Sequence, residues 1–306
     1  MRVLFMGTPE FAIPSLDAIH REHTIVAVIT SPDKPAGRGH QLQVSAVKSY
    51  CLNHEIPLLQ PKNLKSEKFL NQVKRLNPDI NVIVAFRMLP LSLIHLPKFG
   101  SVNLHASLLP QYRGAAPIQR AIMAGETKTG LTVFRLAHEI DTGDLVNSLE
   151  LPIGSDETGG ELHDRMAQAG APLLIKSLKE IESNTANYKT QNDEQASAAP
   201  KIFKEDCQID WTKSTAVIYN LIRALIPYPC AWFNEKGKMY KIHKASKINQ
   251  SHTLVPGEWL IETDSLKIAC TDGFIQIFEI QAEGKRKVTA KEFINGLQNR
   301  DIKKLE

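Results

Sequence analysis

The sequence predicts an α/β domain built on a mostly parallel sheet, followed by a smaller all-β domain. Three observations carry this. Short apolar runs alternate with helical patterns from residue 2 to about residue 181. A polar, small-residue stretch interrupts the chain at Gln191–Pro200. Beyond it, short strand-like runs are separated by turn signals.

Arg2 to Met6 is an apolar run ending in Gly7-Thr8-Pro9-Glu10, and a helical pattern follows to about His20. Thr8 is placed to cap that helix, with Pro9 in its first turn. Thr24 to Ile29 predicts a second buried strand, closed by Thr30-Ser31-Pro32-Asp33. Helical patterns cover Val44–Asn53 and Glu67–Leu76, and Asn77-Pro78-Asp79 breaks the second before a strand over Ile80–Ala85. Val102–His105 predicts a strand, Ala115–Met123 a helix, Leu131–Leu136 a strand and Thr158–Ile181 a long helix. Strands alternating with helices give a Rossmann-like N-terminal domain, expected over residues 1–184. Gly7-Thr8-Pro9 is not a Gly-x-Gly-x-x-Gly fingerprint and reads as a tight turn feeding a helix, so no dinucleotide site is expected there. Residues 185–204 read as an interdomain linker, because their composition buries little surface. After a helical run over Ala216–Leu225, strands are expected at Met239–His243, Gly257–Ile261, Leu266–Cys270 and Phe274–Ile280. Residues 205–306 are therefore expected to form a small, OB-like β-barrel.

Composition narrows the function classes. Of 306 residues, 42% are hydrophobic and 23% charged, the balance of an ordinary globular protein, and no apolar stretch is long enough to span a membrane. The chain opens directly on a strand pattern, so no signal peptide is expected. The four cysteines form no Cys-x-x-Cys pair and the ten histidines show no zinc-type spacing, which points to reduced thiols in a cytosol and to no metal. The net charge of +4 is carried wholly by residues 201–306, a modest attraction for a polyanion such as RNA.

The chemistry-bearing stretch is Ser101-Val102-Asn103-Leu104-His105-Ala106-Ser107-Leu108-Leu109-Pro110, followed by Gln111-Tyr112-Arg113-Gly114. Side chains on a strand repeat their direction every second residue, so Asn103 and His105 point into one pocket. An amide that donates a hydrogen bond beside an imidazole that titrates near neutrality suits acyl transfer, in which an oxyanion is held and protons move. Asp141, in Glu139-Ile140-Asp141-Thr142-Gly143-Asp144 beyond another strand, is the expected third partner. The pair lies at the carboxyl end of a strand, where open α/β sheets bind ligands. Arg113 is a candidate substrate contact.

These residues, with Arg113-Gly114-Ala115-Ala116-Pro117-Ile118 and Asp141-Thr142-Gly143-Asp144, resemble the 10-formyltetrahydrofolate-dependent formyltransferases. That core is shared by enzymes acting on glycinamide nucleotides, amino sugars, aminoacyl-tRNA or water, so it sets the chemistry class and leaves the acceptor open. The acceptor is suggested elsewhere. Ser31-Pro32-Asp33-Lys34-Pro35-Ala36-Gly37-Arg38-Gly39 is similar to a loop of the methionyl-tRNA formyltransferase branch that enters the acceptor arm of initiator tRNA. Ala199-Pro200-Lys201-Ile202…Asp210-Trp211, Ile222-Arg223-Ala224…Pro227-Tyr228-Pro229…Trp232 and Gly284-Lys285-Arg286-Lys287 are similar to that branch's C-terminal domain. Three departures stand out: Arg87 occupies the place of a family glycine in a loop one residue shorter, His138-Glu139 sits where a glycine often precedes the Ile-Asp-Thr-Gly turn, and Ala198 replaces an aromatic residue.

The resemblance implies 10-formyltetrahydrofolate as co-substrate, initiator methionyl-tRNA as acceptor, no metal, no membrane partner and a monomer in the cytoplasm. It implies Asn103, His105 and Asp141 as catalytic residues and Ser107, Leu108, Leu109 and Pro110 as the folate-lining loop. It implies Lys34, Arg38 and Lys201 as tRNA contacts, Lys34, Arg38 and His40 forming a cationic loop tip. Lysines 236, 238, 241, 244 and 247, with Lys285-Arg286-Lys287, are placed to track a phosphate backbone.

Overall fold

A computed structural model describes residues 1–36 and 41–297, with backbone only at 34–36 and 41–43. The chain forms two compact units. The first comprises Met1–Gly114, Thr129–Leu151 and His163–Ala199; the second comprises Ala115–Lys128, Pro152–Leu162 and the chain from Pro200 onward.

The first unit is built on strands β1 (Arg2–Gly7), β2 (Thr24–Ile29), β5 (Leu58–Leu59), β6 (Ile80–Val84), β7 (Ser101–His105), β8 (Lys128–Arg135) and β9 (Leu145–Pro152), in the order β5-β2-β1-β6-β7-β8-β9. β5, β2, β1, β6 and β7 run parallel, and β8 turns back against β7. A two-stranded ribbon, β3 (Lys34–Ala36) with β4 (Gln41–Gln43), stands apart from this sheet. The helices are α1 (Ile13–Glu22), α2 (Ala46–Asn53), α3 (Glu67–Leu76), the single turn α4 (Leu91–Ile94), α5 (Pro117–Met123) in the second unit, and α6 (Gly159–Glu182).

Alternation decides which way β7 aims its side chains. Leu104 faces α6, so closely that a Cβ on Gly170 would fall 2.6 Å from a Leu104 methyl. Asn103 and His105 therefore face the other side of the sheet. There Ile83, directly opposite Asn103 on β6, packs in a core with Leu4, Met6, Phe69, Val73 and Leu93. Ser101, next along that row, bonds the Asn81 amide at 2.9 Å and donates to the Ile94 carbonyl at 2.7 Å. His105 is the last residue of β7, and the sheet order reverses between β1 and β6, the crevice in which such sheets accept ligands.

Two sequence expectations need correction here. Thr8 does not cap the first helix: Glu10–Ala12 is a short 3-10 turn, α1 starts at Ile13 with Pro14 in its first turn, and the Thr8 hydroxyl lies 3.2 Å from that of Ser31. Proline is pre-shaped for a first turn, so Pro14 rather than Thr8 sets the start. Residues 185–199 do not run free either. They belong to the first unit, forming isolated bridges from Lys189 to Leu145 and from Ala198 to Arg113, with Ala199 fully buried. Their backbone groups find ladder-like partners, which composition does not report.

The second unit carries helix α7 (Thr215–Ala224), strands β10 (Ala231–Glu235), β11 (Lys238–Ile248), β12 (Trp259–Glu262), β13 (Ser265–Ala269), β14 (Phe274–Ala282) and β15 (Val288–Thr289), and helix α8 (Ala290–Gly296). The strands pair antiparallel in the order β10-β11-β14-β13-β12, with β15 on β14. Register shifts at Ile242–Lys244 and Lys244–Ala245 bend the long β11, which bulges do by adding local twist. Ile242, Ile268, Ile275, Ile277 and Ile280 form the core with Ile218 and Ile222 of α7. Phe233 stacks on Tyr240 at 5.5 Å and meets Trp211 and Trp259 edge-on. Arg223 is buried and donates to the carbonyls of Gly154 and Glu157, tying α7 to the 152–162 segment. No helix among the described residues is long and apolar enough to cross a membrane.

Candidate active site

The His105 imidazole is gripped from both sides. Nε2 lies 2.9 Å from the Tyr112 carbonyl, which only accepts, so Nε2 carries the hydrogen. Nδ1 is then the ring nitrogen left to take or release a proton, and it lies 3.7 Å from Oδ2 of Asp141. Both side chains are largely buried, and the Phe134 ring meets the imidazole edge-on at 6.4 Å. Two residues back on the same face, the half-buried Asn103 amide makes no hydrogen bond among the described residues. The structure thus brings His105 and Asp141 together and leaves the Asn103 donor uncommitted on their side of the sheet.

Asp141 is held by an unusual turn. It adopts a left-handed conformation, φ 57°, which Asp tolerates better than most residues. Its Oδ2 accepts from the Gly114 N–H at 2.9 Å. Gly114 sits at φ 128°, and a Cβ there would strike the Ala199 carbonyl oxygen at 2.6 Å, so only glycine serves. Gly143 passes closer still: a Cβ would fall 1.7 Å from the Arg135 carbonyl oxygen.

The loop 107–110 is pinned by Thr132 of β8. The Thr132 hydroxyl donates to the Ser107 carbonyl at 2.7 Å and accepts from the Leu109 N–H at 3.1 Å. The Ser107 hydroxyl is buried and donates to the Gln111 carbonyl at 2.6 Å, so it shapes the loop from within. Leu108 lies against Gly130, whose lack of a side chain lets the loop settle on β8, and the Leu109–Pro110 peptide is cis. Around the same sheet end, Met88 in the loop after β6, Leu91 at the start of α4 and Ile140 beside Asp141 are exposed.

Arg87 does not reach toward that space. Its guanidinium donates to the Pro61 and Lys62 carbonyls and its carbon lies 5.6 Å from the Phe86 ring centroid. Arg113 is likewise engaged within the protein, with Gln191 and Asp193. Of the cationic loop tip, Arg38 and His40 lie outside the described residues, and Lys34 is described as backbone in β3. Its neighbour Asp33 is bonded to Lys48 and Gln60, which hold its carboxyl below the usual range. Lys201, in the second unit, is exposed with its ammonium 5.6 Å from the Phe203 ring centroid. The neighbouring backbone is fixed by Arg120, which donates to the Pro200 and Lys201 carbonyls and pairs with Asp206 at 3.2 Å. Among the described residues, no cluster of three or more His, Cys, Asp or Glu is placed to hold a metal ion.

Residues 1–178 match the family described as Formyl transferase, and residues 201–298 match its C-terminal domain. The chain belongs to the formyl transferase family. Within that family, a protein of Flavobacterium johnsoniae named methionyl-tRNA formyltransferase is 45% identical, with 100% of this chain and 99% of the relative covered. One of Bacteroides fragilis with the same name is 42% identical over 97% of this chain and 95% of its own. Among solved structures, the methionyl-tRNA formyltransferase of Clostridium thermocellum shares the fold with a TM-score of 0.58 at 18% identity, over 82% of this chain and 95% of its own. An N-formyltransferase of Helicobacter canadensis, in complex with folinic acid and dTDP-3-aminofucose, shares it with a TM-score of 0.68 at 20% identity, over 94% of this chain and 100% of its own. Asn103, His105 and Asp141 all lie within the formyl transferase match.

Sequence reasoning missed the carbonyl of Tyr112, the amide of Gly114 and the whole of Gln191. The first two are backbone groups, which carry no residue signature. Gln191 sits in a polar stretch whose composition resembles a linker.

Proposed function

We propose that this formyltransferase moves the formyl group of 10-formyltetrahydrofolate to the α-amino group of initiator methionyl-tRNA, with Asn103, His105 and Asp141 as catalytic residues. The observation that carries the proposal is His105 held between the Tyr112 carbonyl and the Asp141 carboxylate, beside the free Asn103 amide. Full-length relatives at 40–45% identity, all named for this activity, support the acceptor.

The folate supplies the formyl carbon; the chain supplies geometry and proton handling. A free α-amine has a pKa of about 7.7–8.0, so a useful fraction is neutral at cell pH and no covalent enzyme nucleophile is needed. As the amine's C–N bond to the formyl carbon forms, Asn103 donates to the growing oxyanion. Nδ1 of His105 faces Asp141 and handles the proton that leaves the amine, while the bond from the formyl carbon to the folate N10 breaks and N10 takes up a proton. Asp141 balances the imidazolium charge. The pinned 107–110 loop and the apolar Met88, Leu91 and Ile140 would flank the pterin. Lys34 and Arg38 would meet the acceptor arm, and Lys201 the phosphate backbone. A cytosolic setting, where the buried thiols stay reduced, matches a role in translation initiation.

The direct test is formylation of charged initiator methionyl-tRNA, with charged elongator methionyl-tRNA and free methionine as parallel acceptors. Transfer to the initiator alone is expected. Folate turnover with no transfer to tRNA would hand the acceptor to a small amine or water. Arg38→Ala is expected to reduce tRNA formylation far more than folate binding, and equal losses would remove Arg38 from the acceptor site.

A further inference from the structure

We infer that Gln191 is the positioning residue for Asp141, and that the segment 189–199 acts as a clasp holding the catalytic carboxylate in place; the inference rests on the role of Asp141 proposed above. Gln191 is 8% exposed, and every hydrogen-bonding site of its amide that the turn can use is filled. Nε2 donates to the Asp141 carbonyl at 2.8 Å and to the Gly143 carbonyl at 2.7 Å. Oε1 accepts from Nε and Nη2 of Arg113 at 3.1 and 2.8 Å. Carbonyls only accept and a guanidinium only donates, so this amide has one possible orientation. Arg113 is steadied in turn by Asp193 at 2.7 Å.

The clasp joins the two loops that make the site. The 110–114 loop carries the Tyr112 carbonyl that fixes Nε2 of His105 and the Gly114 N–H that fixes Oδ2 of Asp141. Along that loop, Arg113 N–H donates to the Ser197 carbonyl at 2.8 Å, Ala199 N–H donates to the Arg113 carbonyl at 2.7 Å, and Tyr112 N–H donates to the Ser197 hydroxyl at 2.9 Å. Gln191 spans from there to the 141–143 turn. Without it, two turn carbonyls lose their donor and the left-handed Asp141 is held by the Gly114 amide alone among these contacts. A residue that orients a catalytic group through hydrogen bonds typically costs 10–100-fold when removed, because small misplacements of reacting groups are expensive.

The test compares Gln191→Ala, the isosteric Gln191→Glu, Asp141→Asn and the Asp141→Asn/Gln191→Ala pair in steady-state formylation of initiator methionyl-tRNA. Folding of each variant is followed by its thermal transition. Glutamate keeps the volume and can accept from Arg113, but as a carboxylate it cannot donate to the two carbonyls. Both Gln191 variants are expected to lose about 10–100-fold in kcat with KM for either substrate unchanged. The pair is expected to be no slower than Asp141→Asn alone, since nothing remains to position. Wild-type kcat in folded Gln191→Glu, or losses that multiply in the pair, would overturn the inference and leave the role of Asp141 standing. Wild-type kcat in Asp141→Asn would instead overturn the reading of Asp141 and the inference with it.

Discussion

At the scale of single residues, the proposed site divides into groups assigned to the reaction and groups that hold them. Asn103 is the simplest case, because its amide is bonded to nothing else among the described residues. Asn103→Ala should lower kcat by about 100–1,000-fold, roughly 2.7–4 kcal/mol, the usual loss for one oxyanion donor. Single-turnover formylation reads it, with folate binding largely kept. Gly114 is a holding residue, and Gly114→Ala puts a Cβ against the Ala199 carbonyl at a backbone angle that side chains avoid. A stability loss of about 1–3 kcal/mol is expected in urea denaturation, with activity falling as the shifted backbone moves the residue 114 N–H away from the Asp141 carboxylate. Asn103 and His105 were legible because a two-residue spacing on a strand needs no long-range information. Asp141 was legible as an acid in a turn after the next strand. Gln191 was not, because its partners lie some 50 residues earlier and nothing local marks it.

At the scale of elements, periodicity served well where one face was buried. Thr24–Ile29 and Glu67–Leu76 coincide with the strand and helix predicted for them. The strand Leu145–Pro152 went unseen because most of its side chains are exposed or half-exposed, so no apolar alternation marks it. Helix α8 also went unseen, although its start is marked by Thr289 and Glu292 at capping-box spacing. The Thr289 hydroxyl accepts from the Glu292 N–H at 3.2 Å, and the Glu292 carboxylate accepts from the Thr289 N–H at 2.8 Å. Thr289→Ala should cost about 1 kcal/mol, measured by chemical denaturation, since the Glu292 N–H loses its acceptor. In the same unit, Phe233→Ala should cost about 3–5 kcal/mol, because it removes the ring that Trp211, Tyr240 and Trp259 pack around.

At the scale of the whole molecule, the buried ionisable groups set the pH window. Burial first, then a hydrogen bond to Asp17, pushes the Tyr50 phenol up to about 12 from its ordinary 10.0, and burial followed by Asp156 does the same for Tyr219. A group whose value is raised by folding stabilises the protein fully below its unfolded value and loses that contribution as pH rises through the folded one. Stability should therefore fall between pH 10 and about 12. Denaturation midpoints across that range, with phenolate absorbance, check it, and Tyr219→Phe should flatten part of the slope. Burial also raises the Cys51 thiol to about 11 and Cys270 to about 12, and all four cysteines are buried. No thiol should react with an aromatic disulfide reagent at neutral pH until the protein unfolds.

The sequence by itself pointed to a mostly parallel first sheet, to an all-β C-terminal part, and to Asn103, His105 and Asp141 as the residues of the proposed site. Those features rest on local periodicity, turn residues and side-chain type, all of which travel with the chain. Tertiary structure alone decided which ring nitrogen of His105 is free, since the Tyr112 carbonyl makes that choice. It also decided that a stretch with a linker's composition closes over the 110–114 loop and reaches the Asp141 turn. Backbone carbonyls and amides are the same at every residue, so their pairing becomes visible only when distant segments meet.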